Sequence, residues 1–217
     1  MWKALVYKEL RETWAIAALG LLGYLWSFSG HEVSAIGLFR WSSSDEIPFV
    51  GEGFVRGFVA ISLMWMIALG LRQTVGESVR GTWLFLLNRP LERGTLIGLK
   101  LATGLALCLI CAVVPVLWYA RWAATPGTHA SPFEWSMTLR AWQAWLTMPG
   151  VYLAAFLTGL RPGRWIGSRL TPLAGAGLLL ILLQALPWWW LLGLTAVVLL
   201  DAWLIWDILY VAQTRDY

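Results

Sequence analysis

The chain has 217 residues, of which 59% are hydrophobic and only 13% are charged, and its mean hydropathy is +0.66. Soluble domains carry about 25% charged residues, so a water-soluble fold would lack polar cover. The 17 tryptophans agree with this, because Trp is enriched where a bilayer meets water. The composition excludes a soluble globular domain. It indicates an integral membrane protein that lies in the lipid bilayer and binds no nucleic acid.

Long apolar segments follow one another along the whole chain. About 20 residues in a helix cross the hydrocarbon core. We predict six transmembrane helices, Trp14–Ser29, Phe54–Leu71, Leu99–Ala120, Leu139–Leu160, Leu170–Leu186 and Trp188–Trp206. No soluble domain fits between them, so residues 1–217 form a single membrane domain. The predicted fold class is an all-α polytopic membrane protein.

The distribution of Lys and Arg gives the orientation of these segments. Twelve basic residues lie in the segments 1–13, 72–100, 161–169 and 207–217, which share one side, and four lie on the other side. Basic residues beside transmembrane helices mark the cytoplasmic side. We therefore predict that both termini are cytoplasmic and that the protein is a multi-pass protein of the cell inner (plasma) membrane.

Residues 1–13 have the pattern of an amphipathic helix. Apolar residues recur at helical spacing, with charged residues on the other face; the apolar set is Trp2, Leu5, Val6, Leu10 and Trp14. Such a helix lies in the plane of the headgroups. A cleaved signal peptide is the alternative, and the acidic residues Glu9 and Glu12 argue against it.

Signals for catalysis are missing from the sequence. It contains no phosphate-binding loop of the form G-x-x-x-x-G-K-[ST], and its two histidines, His31 and His129, fall in predicted outside loops. We therefore predict no enzyme activity, no cofactor and no metal in this chain. Cys108 and Cys111 form a C-x-x-C within the third segment. They are either a soft-metal or redox pair or two small buried hydrophobes.

Polar or small residues inside three segments allow more than one interpretation. Asp201 lies in the predicted cytoplasmic half of the sixth segment, where a carboxylate is a candidate intramembrane polar site or a structural partner of a neighbouring helix. Pro149 kinks the fourth segment. Four small residues at four-residue spacing favour close packing, either within the chain or between subunits: Gly94, Gly98, Ala102 and Ala106.

Residues 72–98 form a charged, half-amphipathic cytoplasmic segment between two apolar segments. Val79, Trp83, Leu86 and Leu87 share one helical stripe, and Asn88-Arg89-Pro90 ends it. The sequence predicts a short surface helix, a corner and a long third transmembrane helix. A positively charged loop that only sets topology would explain the arginines but not this stripe.

Two regions of the sequence resemble type-2 ABC transporter permeases. Met1–Trp14, with Lys8-Glu9-Leu10-Arg11-Glu12, looks like the elbow helix that opens these permeases. Residues 77–100 resemble their first cytoplasmic loop, through Glu77, Arg80, Gly81, Thr82, Leu86, Leu87, Pro90, Arg93 and Lys100. The short outside loops and Asn88-Arg89 at the corner depart from the usual pattern.

The resemblance implies the permease subunit of an exporter, working as a homodimer or with a second permease. A separate cytosolic ABC ATPase would bind ATP and dock on residues 72–98. The residues that would carry this coupling are an apolar dock, Val79, Trp83 and Leu87, and polar contacts, Glu77, Arg80 and Arg93.

Three other functions remain open from the sequence. The chain is a membrane scaffold or assembly protein, a membrane-embedded enzyme with a dispersed site around Asp201, or a substrate-binding component of an importer. The interior of Leu, Ala, Gly and Trp favours a lipophilic or amphipathic cargo.

Overall fold

A computed structural model describes residues 2–28, 47–50, 52–81, 92–125 and 132–214. They form six α-helices: α1 (Trp2–Phe28), α2 (Glu52–Arg80), α3 (Arg93–Ala123), α4 (Leu139–Leu160), α5 (Thr171–Gln184) and α6 (Leu192–Thr214). A 3₁₀ turn (Trp135–Thr138) precedes α4, and a π turn (Trp165–Arg169) precedes α5. No strand occurs in these ranges, so the all-helical prediction is confirmed for the described residues.

In the part of the chain that the structure describes, three helices are long and apolar enough to cross a membrane: Gly53–Arg80, Arg93–Ala123 and Leu192–Thr214. The apolar helix α5 has only 14 residues. The helix α4 lies inside the bundle, where it packs against α2, α3, α5 and α6 and buries every side chain from Gly150 to Leu160. Because neighbouring helices surround α4, its composition reflects packing between helices more than contact with lipid.

The helix boundaries differ from the prediction at both ends of the chain. Residues 2–13 and 14–28 form one uninterrupted helix, whereas the sequence pattern suggested two elements. Within α1, Leu5 is buried while Leu10 and Trp14 are exposed, so the predicted apolar stripe does not face one environment. That residues 1–13 lie among the headgroups stays a prediction.

The sixth helix begins and ends later than predicted. It covers Leu192–Thr214 rather than Trp188–Trp206, because Trp188 adopts a positive φ of 59° in the turn before it. The helix continues for 13 residues beyond Asp201, which is about 20 Å. Asp201 therefore lies near the middle of α6, and its position in the cytoplasmic half of a transmembrane helix stays a prediction.

Successive helices run in alternating directions, which gives the bundle two chemically different ends. At the charged end, defined by Glu9, Glu77, Lys100, Arg161 and Asp207, ion pairs join the start of α1, the end of α2, the start of α3, the end of α4 and the end of α6. The opposite end is aromatic. There Phe54 and Tyr119 stack with ring centroids 4.2 Å apart, and Phe49 and Phe133 pack beside them.

Close packing of α2 against α4 forms the centre of the core. Gly70 makes this approach possible, since a Cβ added there would lie 2.8 Å from the backbone of both Tyr152 and Phe156. Gly159 has the same role near the end of α4, where Thr74 of α2 fills the space beside it. The two helices therefore meet through backbone as well as side chains.

Three of the four small residues of the α3 stripe face away from the rest of the described chain, while Gly94 lies beside Gln213 of α6. A Cβ added at Gly98 would meet nothing within 4 Å, and Ala102 and Ala106 are exposed. Contact with α4 is made instead by Gly104, which packs against Tyr152. The interpretation of these three stripe residues as an intrachain contact is therefore wrong within the described residues.

The α2–α4 contact yields a matched pair of substitutions. We expect Gly70→Ala to lower the free energy of unfolding by about 1–3 kcal/mol, because the methyl group overlaps backbone that cannot move aside. Gly98→Ala places the same methyl group in open space and adds helix propensity, so its stability is expected to be unchanged or higher. Denaturant unfolding in detergent measures both, and equal stability of the two variants would contradict the packing.

Candidate functional site at the charged end

Lys100 is the most enclosed charged residue of the charged end. It lies about two turns into α3, and its side chain is 2% exposed. Its ammonium Nζ is 2.8 Å from Glu9 Oε1 on α1 and 2.9 Å from Glu77 Oε1 on α2. A buried ammonium group is tolerated only when carboxylates or other acceptors replace its lost hydration. Lys100 thus joins three helices through one atom.

Two further charged residues of α1 complete this cluster. Lys8 Nζ donates to Glu77 Oε1 at 2.9 Å and lies 3.6 Å from Glu12 Oε1. We call Lys8, Glu9, Glu12, Glu77 and Lys100 the charge cluster. It contains two ammonium groups and three carboxylates, so its formal charge is minus one. Glu9 and Glu77 are almost fully buried, whereas Lys8 and Glu12 reach the surface.

Hydrogen bonds extend the charge cluster into the core. Gln73 Nε2 donates to the carbonyl oxygen of Lys100 at 3.3 Å, and the hydroxyl of Tyr152 donates to Gln73 Oε1 at 2.6 Å. Tyr152 belongs to α4, so four helices are connected by one polar network. Networks of this kind fix a unique arrangement when their members are satisfied.

One carboxylate oxygen of the charge cluster makes no hydrogen bond with the described residues. Glu9 Oε2 is buried and has no hydrogen-bond partner within the described part of the chain. Carboxylate oxygens of Glu9, Glu12 and Glu77 lie within 4.8 Å of one another, a spacing that suits a cation. The ammonium groups of Lys8 and Lys100 already contact this group and supply positive charge to it.

A second ion pair closes the same end of the bundle. Arg161, which follows α4, donates from Nη2 to Asp207 Oδ2 on α6. Arg169, which precedes α5, donates to the backbone oxygens of Thr158 and Gly159 at 3.0 and 2.8 Å. These bonds occupy carbonyl groups that the end of α4 leaves without helical partners. The last turn of α4 is thereby held to α6 and to the start of α5.

The residues predicted to carry coupling are divided between surface and interior. Val79 is 81% exposed, and Arg80 and Arg93 are exposed as well. Glu77 is buried against Lys100 and Lys8, so its carboxylate faces the bundle and not a docked partner. Its interpretation as an outward polar contact is corrected accordingly. Trp83 and Leu87 lie outside the described residues.

The described part of the predicted surface helix belongs to α2. Helix α2 continues to Arg80 and ends there, and Gly81 has a φ of +65° and donates to Ser78 O. A glycine with positive φ is the usual residue just beyond a helix end. Val79 therefore belongs to the last turn of α2, and the rest of the predicted stripe, Trp83, Leu86 and Leu87, lies outside the described residues.

Asp201 lies apart from the charge cluster, on the face of α6 that packs against α4. A Cβ added at Gly150 would lie 2.9 Å from Asp201 Oδ1, which places the carboxylate beside the helix turn that contains Pro149. Asp201 Oδ1 is buried without a hydrogen-bond partner among the described residues. The candidate polar site at Asp201 stays a prediction.

Cys108 and Cys111 are free thiols in the core of the described bundle. Trp145 and Tyr24 belong to the same core. Neither cysteine belongs to a group of three potential metal ligands among the residues that the structure describes.

Sequence reasoning missed the pairing of Glu9 with Lys100. In the sequence, Glu9 argues against a signal peptide, Lys100 is one basic residue of the inner side, and both belong to the regions that resemble permeases, but no pattern pairs them. A signal was present in the sequence, since Leu5, Glu9 and Thr13 recur every four residues and all three are buried on one face of α1. No known protein family, curated protein or solved structure matches the chain.

Removing the central ammonium group tests the charge cluster. We expect Lys100→Met to lower the free energy of unfolding by about 3 kcal/mol or more, because Glu9 loses its closest partner inside the protein. Replacing all three groups together, as Lys100→Met with Glu9→Gln and Glu77→Gln, is expected to recover most of that loss. Denaturant unfolding in detergent measures both variants. A triple variant less stable than Lys100→Met alone would contradict the pairing.

Proposed function

We propose that this chain is the membrane-spanning permease subunit of an ABC exporter, with ATP bound and hydrolysed by a separate cytosolic ATPase subunit. In this proposal the six helices cross the cell inner (plasma) membrane and the charged end faces the cytoplasm. The alternating directions of the helices support the topology, because the start of α1 and the end of α6 then lie on the same side. The surplus of basic residues at this end supports its orientation.

The observation that carries the proposal is the position of the charge cluster relative to residues 81–92. Glu77 precedes this segment and Lys100 follows it, and their ion pair at 2.9 Å closes the segment into a loop with a fixed base. Glu9 attaches the same base to α1 at 2.8 Å. A force applied to the segment therefore reaches α1, α2 and α3 together. A loop that only set topology would need no such base.

The surface beside this base suits a docked protein. Val79 and Arg80 are exposed at the end of α2, and Arg93 is exposed at the start of α3. With Trp83 and Leu87 from the intervening segment, they would offer apolar contacts surrounded by positive charge. Interfaces often combine an aromatic or aliphatic centre with arginine. The ATPase dimer, as it closes on ATP, would push this surface toward the membrane.

The proposed transporter contains two permease subunits, either two copies of this chain or this chain with a second permease. The outward stripe of Gly98, Ala102 and Ala106 on α3 supports such an arrangement, since small residues allow helices to approach closely in lipid. The cargo would leave through a pathway bounded by both subunits.

Charge reversal at the docking surface tests the proposal. We expect Arg80→Glu and Trp83→Asp each to reduce co-purification of the ATPase by tenfold or more, because they place a carboxylate at the centre or rim of the contact. ATP-dependent transport in reconstituted vesicles is expected to fall in parallel. Arg164→Glu changes an exposed arginine that precedes α5 and serves as the matched control.

The outcome separates the alternatives. Loss of the ATPase in the two docking variants but not in Arg164→Glu supports the permease. Unchanged co-purification and transport in all three variants would contradict the docking surface. If no ATPase co-purifies even with the unmodified chain, a scaffold that binds a different partner explains the charged end better.

A further inference from the structure

Two cavities lie end to end between α1 and α2. The first, with a volume of about 460 Å³, opens at the charged end and is lined by Tyr7, Lys8, Arg11, Glu12, Arg72 and Arg80. The second, of about 350 Å³, lies further along the same helices, and its lining includes Ile16, Gly20, Gly23, Ile61, Trp65 and Ala68. One cavity is thus basic and the other is apolar.

The helical spacing shows that both cavities belong to one crevice. On α1 the lining residues Lys8, Glu12, Ile16, Gly20 and Gly23 follow one another at three or four residues, which is a single face of the helix. On α2 the residues Ile61, Trp65, Ala68 and Arg72 do the same. The crevice therefore runs along both helices without changing face.

The distance from Arg11 and Arg72 to the far end of the apolar section matches one leaflet of a bilayer. Arg11 and Gly23 are separated by about 18 Å along α1, and Arg72 and Ile61 by about 16 Å along α2, at 1.5 Å per residue. Half of a hydrocarbon core of about 30 Å is close to these lengths. A lipid tail that enters at the level of the arginines would span the apolar section of the crevice.

The basic section of the crevice holds three arginines that form no ion pair with acidic side chains of the described residues. Lys8 is paired with Glu77 and Glu12. No acidic side chain in residues 2–28, 52–81, 92–125 and 132–214 forms an ion pair with Arg11, Arg72 or Arg80. Guanidinium groups bind phosphate through paired hydrogen bonds, so three of them around one cavity are complementary to a phosphate group.

The apolar section has the shape of a slot because two glycines line it. Gly20 packs directly on the indole of Trp65, where an added Cβ would lie 2.7 Å from the ring, and Gly23 leaves open the space beside Ile61. No charged side chain of the described helices lines this section. An extended hydrocarbon chain fits such a slot, whereas an extended protein segment would leave its backbone groups without hydrogen bonds.

We infer that the crevice between α1 and α2 binds one anionic phospholipid, with its phosphate among Arg11, Arg72 and Arg80 and an acyl chain against Gly20, Gly23 and Trp65. The inference is independent of the proposed transport function, because it needs only this chain and lipid. Helix α1 would then bind a lipid in addition to contributing residues to the charge cluster.

Native mass spectrometry of the purified full-length chain in detergent micelles tests this site. The chain is titrated with dioleoyl phosphatidylglycerol, with dioleoyl phosphatidylcholine and with glycerol 3-phosphate. We expect the anionic lipid to bind most tightly, because an arginine near the membrane surface contributes about 1 kcal/mol toward anionic lipid, which is about fivefold in affinity. Arg11→Gln with Arg72→Gln is therefore expected to weaken phosphatidylglycerol binding by about 25-fold.

A second variant probes the apolar section separately. Ala68 is exposed and lines the slot, so Ala68→Phe fills the slot without disturbing the core and is expected to weaken binding of both lipids at least tenfold. Arg164→Gln and Ala202→Phe make the same chemical changes at exposed positions outside the crevice. Both controls are expected to bind phosphatidylglycerol within twofold of the unmodified chain.

Three results would overturn the inference. Equal affinity for the two lipids would remove the role of the arginines. Unchanged binding in Ala68→Phe would place the acyl chain elsewhere. Binding of glycerol 3-phosphate as tight as that of phosphatidylglycerol would reduce the site to one for a free anion. None of these results depends on the ATPase, so each leaves the proposed function to its own test.

Discussion

The burial of one ammonium group constrains the whole charged end of this protein. Lys100 lies inside the bundle, where an unpaired charge is strongly unfavourable. Its partners Glu9 and Glu77 belong to two other helices, so the pairing is satisfied only when α1, α2 and α3 meet at one register. Apolar packing alone would tolerate small slides between helices. The charge cluster does not tolerate such slides, because a displacement of a few ångströms leaves a buried charge without its partner.

The contrast between the two ends suggests how the proposed transporter would move. The aromatic end is joined by stacked rings of Phe54 and Tyr119, which tolerate sliding, whereas directional ion pairs join the charged end. Residues 81–92 leave from the charged end and return to it, with Glu77 and Lys100 at their base. A push on this segment would therefore shift three helices as one unit. At the same end, the ion pair between Arg161 and Asp207 joins the end of α4 to α6.

Local pattern predicted the six α-helices of the described residues but not how these helices face one another. Apolar runs of suitable length identified six helices, and Leu139–Leu160 has the predicted bounds. The end of α6 was missed because Asp207, a polar residue near the predicted end, finds Arg161 as a partner and lets the helix continue. Glu77 was predicted to face the surface because it lies in a charged segment of the sequence. Its own spacing cannot reveal that Lys100 and Lys8, from other helices, approach it.

Exchange of charge between Glu9 and Lys100 is the most direct measurement of the claim that this pair holds α1 to the bundle. Glu9→Lys and Lys100→Glu each alter the balance of the charge cluster, while the double exchange keeps both its formal charge and an opposite pair at the 2.8 Å contact. The free energy of unfolding in detergent is compared for all three. We predict a loss of about 3 kcal/mol in each single variant and a smaller loss in the double variant. Additive losses in the double variant would contradict the account.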